Sequence, residues 1–138
     1  MTAITLAAAQ RALAAGIAEA EQIGVAVSVA VVDAGGVLRA FARMDGAEIA
    51  GEVLAIDKAY TAVAHRASTA ELGALAQPGG DLFGLQANGG GRYVMFGGGL
   101  PVSDRDGTVI GAVGVSGAAV AEDVACAEAA RAVLAGAA

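Results

Sequence analysis

Between Val25 and Val32 the chain places Val25, Val27 and Val29 on one alternating face of an extended run and Ala26, Ala30 and Val32 on the other. A strand without a polar face has to be covered on both sides, which confines the chain to layered architectures with a central sheet. Asp33-Ala34-Gly35-Gly36 supplies a turn, and the run Val37 to Met44 returns as a second strand carrying Arg39, Phe41 and Arg43 on one face. Before this hairpin, Leu6, Ala9, Leu13, Ile17 and Ala20 recur at helical spacing, with Thr5 placed to cap the start and Gly24 to stop the end. After it, Ile49, Val53, Ile56, Tyr60 and Val63 form a stripe that predicts a helix from about Glu48 to His65.

Ser68 or Thr69 caps a short helix through Leu75, which Pro78-Gly79-Gly80 ends. The triplets Gly89-Gly90-Gly91 and Gly97-Gly98-Gly99 flank a further expected strand, Arg92 to Phe96. Asp104-Arg105-Asp106-Gly107 reads as a turn, Thr108 to Ser116 as a long strand and Val120 to Leu134 as a closing helix. The order of helix, hairpin, helices, antiparallel strands and helix gives an α+β fold, not a βαβ alternation. The length of 138 residues fits a single domain over 1–138.

Hydrophobic residues make up 57% of the chain and aromatics only 4%, so the core has to be built from small aliphatic side chains around closely approaching backbones. Such a chain has little polar surface to cover itself, and part of the excess is expected between subunits of a homo-oligomer. The formal net charge is -6 and the basic residues form no run, which argues against nucleic acid as a partner. Cys126 stands alone, excluding an internal disulfide and a cysteine-cluster zinc site. The N-terminal residues show neither a charged leader nor an uninterrupted apolar stretch, so the expectation is a cytoplasmic protein without a membrane partner.

Lys58 is the single lysine beside seven arginines. At about 3.6 residues per turn it lies opposite the Ile49/Val53 stripe, on a face with Gly51, Leu54, Ala55, Ala62 and His65. That face is too apolar for solvent, so the helix is expected to meet the sheet on one side and a subunit or ligand cavity on the other. An ammonium held there suits carboxylate binding, proton transfer or an imine, against the plainer reading of a lysine whose stem packs on alanine. His65 is the only histidine; it either ligates haem or satisfies carbonyls at the helix end. Arg43 offers a bidentate fork for an anion and Asp45 an orienting carboxylate, while Asp-Gly is equally a turn signal.

Gly111 through Gly117 fits neither the dinucleotide fingerprint nor the P-loop, and Ser116 fails the nucleophile-elbow pattern because Ala118 occupies the last glycine position. Glycines along a strand instead leave a smooth surface for a helix, a subunit or a flat ligand. Backbone N–H groups of the Gly97 to Gly99 tract are candidates for binding an anion. Glu122 and Asp123 stand in the first turn of the last helix, where one completes the dipole and the other is left to act as an acid or base.

Arg43-Met44-Asp45-Gly46-Ala47, Lys58-Ala59-Tyr60-Thr61-Ala62, Gly98-Gly99-Leu100-Pro101-Val102, Gly107, Gly111 through Gly117 and Asp123 form an ordered set. With it the chain resembles the GlcG/HbpS-like family, also found as the C-terminal part of PduO-type proteins. The resemblance implies profilin-like α/β/α layers with a five-stranded antiparallel sheet. It also implies assembly from dimers to octamers and a pocket near Lys58 and the glycine-rich strands, with haem as a possible cofactor. Three functions follow. The first is a small-molecule binding protein or catabolic enzyme acting on an anionic, carboxylate-bearing metabolite, by proton-transfer or lyase-type chemistry without a redox cofactor. It would use Lys58, Asp45 and Asp123 catalytically and Arg43, His65, Gly98, Gly99, Leu100 and Ser116 for the ligand, with no metal site. The alternatives are a haem or corrinoid binding accessory protein and a structural subunit without a site.

Overall fold

The structure is a computed structural model that describes residues 3–137. The reading of the first residues as free of a leader falls partly on Met1 and Thr2, outside that range. Helix α1 covers Leu6–Ile23; the Thr5 hydroxyl accepts the Ala8 N–H, and Gly24, at φ 88°, closes the helix in the left-handed conformation that glycine adopts without strain. Strand β1 (Ser28–Asp33) and strand β2 (Leu38–Arg43) form the expected hairpin, each shorter than the run that predicted it. Helix α2 covers Ala50–His65, and α3 covers Thr69–Leu75 with the Ser68 hydroxyl as its cap. Strand β3 (Gly99–Ser103) and strand β4 (Val109–Ser116) make a second hairpin, and α4 (Val120–Ala137) ends the described chain.

The sheet has four antiparallel strands in the order β2-β1-β4-β3, not the five expected. Of the strands expected from the residues, Arg92 to Phe96 enters no ladder, and the strand that forms instead is the unexpected β3, Gly99–Ser103. Within Arg92 to Phe96, the Val94 N–H donates to the Thr61 hydroxyl on α2 at 3.0 Å, and the Met95 carbonyl lies close against Gly73 of α3. The Thr61 hydroxyl also donates to the Arg92 carbonyl at 3.3 Å, so one side-chain oxygen on α2 takes the place of a neighbouring strand.

The two hairpins share one turn. Asp33 Oδ1 accepts the N–H groups of Gly35 and Val37, and Asp104 Oδ1 accepts those of Asp106 and Thr108, at 2.9 and 3.0 Å in each case. Each ladder then shifts register just beyond the turn, between Val31 and Val32 in one and between Val102 and Ser103 in the other.

Helices cover both faces of the sheet. Val27, Val29, Val31, Val113 and Val115 pack with the alanines of α1 and with Cys126, Ala130 and Leu134 of α4. Ala30, Val32 and Ala112 pack with Ala55, Ala59 and Ala62 of α2. The orientation of α2 corrects the sequence reading. Its small-residue face, including Lys58, meets the sheet; of the larger apolar stripe Val63 is buried there and Ile56 packs beside it, while Ile49 and Val53 are 79% and 62% exposed. The reason is steric: a side chain at Gly114 would run into the Ala55 carbonyl and come within 2.6 Å of the Ala59 amide, so the helix backbone sits directly on the strand. Among the described residues no helix is long and apolar enough to cross a membrane.

Candidate functional site

Lys58 projects from α2 into the interior and is fully buried. Its ammonium donates to the Val115 carbonyl at 2.9 Å and to Asp123 Oδ2 at 3.2 Å, and lies 4.9 Å from the centre of the Phe96 ring. Asp123, on the first turn of α4, accepts the Ala118 N–H through its other oxygen at 2.9 Å. Gly98 is the lid over this pair: it has φ 128°, and a Cβ there would meet Lys58 Nζ at 2.7 Å. Burial lowers the Lys58 pKa, with the charge of Asp123 and then its hydrogen bond opposing. Burial raises the Asp123 pKa, opposed by the Lys58 charge. The pair ties α2 to β4 and α4 through charge-assisted bonds inside the chain.

Within its own chain Lys58 is shielded by β4, the first turn of α4 and the Phe96 ring. In this arrangement the Lys58 ammonium has no exposed surface, and its bonds run to Val115 and Asp123 inside the chain.

The other expected residues divide among separate places. Arg43 folds onto its own turn, donating to the Ala47 carbonyl through Nε at 3.1 Å and Nη2 at 2.7 Å. Asp45 is exposed and pairs with neither Arg43 nor Lys58. Both line a shallow groove with Ile17, Glu21 and Met44, apart from the buried pair. Ser116 is buried at the end of β4, paired across the ladder with Ser28, whose buried hydroxyl has no partner.

His65 stands at the end of α2, half-buried, with Nδ1 2.9 Å from the Thr61 carbonyl. Its ring meets Tyr93 edge-on at 4.5 Å. Tyr93 stacks in turn with Tyr60, over which the Arg92 guanidinium lies at 3.7 Å while bonding Asp57 at 3.0 Å. The sequence gives no signal of this aromatic neighbourhood, since Arg92 and Tyr93 have the composition of a strand and lie in none.

Gly98, Gly99 and Leu100 border a cleft of about 340 Å³ between the end of α2, α3 and α4. Its charged walls are Arg66, Glu71, Glu128 and Arg131, none of them singled out from sequence, where each reads as ordinary helix surface. The Gly99 N–H expected to bind an anion is already given to the Thr69 hydroxyl at 2.9 Å. Cys126 is buried and its thiol is pushed up to about 11, chiefly by burial, which makes it a poor nucleophile.

Comparison with known proteins follows the fold closely. The model of the family described as "Haem degrading protein HbpS-like" matches residues 4–132. An "Uncharacterized 15.0 kDa protein in dhaT-dhaS intergenic region" of Citrobacter freundii is 48% identical over 120 residues, spanning 87% of this chain and 84% of the relative. The corrinoid adenosyltransferase PduO of Salmonella typhimurium is 42% identical over 110 residues, 80% of this chain but only 32% of PduO, so the chain corresponds to about a third of that protein. The crystal structure of a PduOC:heme complex superimposes with a TM-score of 0.91 at 38% identity, covering 96% of this chain and 95% of the other.

Proposed function

The chain belongs to the HbpS-like family, and from that membership we propose that it is an accessory protein that binds haem, with His65 as the residue that would hold the iron. The observation that carries the reading is the state of His65. Its Nδ1 donates to the Thr61 carbonyl at 2.9 Å, so Nε2 is the ring nitrogen left to meet an iron. Metal-binding histidines are oriented in this way by their surroundings. The donor set suits a macrocycle better than a bare ion, because a tetrapyrrole brings four nitrogens of its own. Among the described residues no group of three His, Cys, Asp or Glu could hold a metal. Kinship with the PduOC:heme complex supports haem, and kinship with PduO keeps a corrinoid as the competing occupant.

Ile49 and Val53 support self-association through the outer face of α2, since large apolar side chains left open on a helix are commonly covered by a partner. A cytoplasmic address accords with the lone, buried Cys126.

Titration of the protein with haemin, followed in the Soret region, tests the reading. Saturable, stoichiometric binding is expected, with the Soret maximum moved or weakened in His65→Ala while the far-UV circular dichroism stays the same. An unchanged Soret spectrum in His65→Ala removes the histidine from the role. Failure of haemin to bind, with aquocobalamin binding instead, replaces haem by a corrinoid.

A further inference from the structure

We propose that the cleft between α3 and α4 is a second binding site, built for a small zwitterion that carries both a carboxylate and an ammonium. The walls bring together two guanidiniums, Arg66 and Arg131, and two carboxylates, Glu71 and Glu128. Among the described residues the ion pairs are Lys58–Asp123 and Arg92–Asp57, so the four cleft charges have no charged partner within 4.0 Å. Arg66 is held at φ 53°, the one non-glycine residue with a positive φ among the described residues. Its N–H closes the helix on the Ala62 carbonyl, as left-handed residues commonly do at helix ends. Arg66 ends α2 in this way and delivers a guanidinium to the rim of the cleft.

The floor determines what kind of occupant fits. It is the outer edge of β3, an edge strand of the sheet. The Val115 N–H donates to the Gly98 carbonyl, so along this antiparallel ladder Leu100 and Val102 turn their backbone groups toward β4, and Gly99 and Pro101 turn theirs outward. Pro101 has no N–H to offer, and that of Gly99 is taken by Thr69. The open edge therefore presents carbonyl oxygens without free donors. A peptide strand cannot pair there, because it would find acceptors alone.

A simple anion would satisfy Arg66 and Arg131 but leave the carbonyls and both glutamates facing it. An ammonium group satisfies these acceptors, and a carboxylate on the same molecule satisfies the guanidinium forks. The glycine at position 98 lets the Lys58–Asp123 pair lie just behind the same floor, with its bonds made to Val115 and Ala118.

The test is a titration of the isotopically labelled protein with glycine, 4-aminobutyrate and 6-aminohexanoate, a series in which the distance between the two charges grows, followed by the amide shifts of Gly98, Gly99 and Leu100. One member is expected to give saturable shifts, and the carboxylate and the amine that each carry only one of its charges are expected to bind at least about tenfold more weakly. Arg131→Gln should weaken binding by about tenfold. Arg66→Gly, which keeps the left-handed helix end without strain, should do the same in a protein of undiminished stability. Equal binding by the simple carboxylate, undiminished binding in both variants, or no saturation with any member of the series would each overturn the proposal.

Discussion

Val27, Val29 and Val31 point toward α1 and α4, while Ser28, Ala30 and Val32, one residue out of step, point toward α2. The first face is an ordinary aliphatic interior in which branched side chains fill the space under two helices. On the second face glycine, alanine and serine bring the helix backbone down onto the strand, and the closeness leaves room for a buried charge pair. The comparison teaches that depth of packing, and not hydrophobicity alone, chooses which side of a helix goes inward. Ile49 and Val53 lose to Gly51, Ala55 and Ala59 because they are too large for the gap.

The sharpest way to break the contrast is to orphan one member of the charge pair. Asp123→Ala should destabilise the chain by about 3–5 kcal/mol in urea unfolding, and replacing both partners, Lys58→Met with Asp123→Leu, should restore most of the loss. The pH dependence carries a defined sign. Between the lowered Lys58 pKa and the ordinary 10.5 the unfolded chain holds a proton that the folded chain has released, so stability rises with pH. Between the ordinary 3.8 and the raised Asp123 pKa the folded chain holds the extra proton, so stability falls as pH rises. Unfolding midpoints of the native protein relative to the double variant should dip between the two windows and recover on either side. A difference that is flat with pH would show that the two groups do not titrate with folding.

Filling the gap under α2 comes next. Gly114→Val should lower stability by roughly 3 kcal/mol, since the new side chain meets helix backbone that can yield only by moving as a whole. On the aliphatic face, Val29→Ala removes two methyl groups from a fully buried position and should cost about 2 kcal/mol, an ordinary cavity effect measurable in the same experiment. The smallest effect is expected on the outer side of α2. Val53→Ser should change the stability of the single chain by no more than about 0.5 kcal/mol, yet shift sedimentation toward smaller species if that surface joins copies.

Much of this arrangement was legible in the residues. Thr5 and Gly24 mark the ends of α1 because capping is local chemistry, and Asp33 and Asp104 announce their turns for the same reason. The glycines of β4 signal a surface open to close approach, and at Gly114 the backbone of α2 takes it. The facing of α2 was not legible, because periodicity ranks isoleucine above alanine and contains no information about the gap to be filled. The expected strand from Arg92 to Phe96 has the composition of a strand, but Thr61, far away in sequence, takes its backbone instead. The bond between Lys58 and Asp123 spans 65 positions; sequence named both residues without showing that they complete one another.

The repeated aspartate turn has a consequence for how the chain reaches its native state. Each hairpin closes between residues near in sequence and carries its own instructions, so β1 with β2 and β3 with β4 can nucleate independently and early. The seam where β1 meets β4, as in Ser28 beside Ser116, joins distant parts of the chain, and its closure entropy must be met before any reward from pairing arrives. The slow step of folding therefore belongs to the middle of the sheet, and loosening either turn should leave a search of two half-sheets for each other.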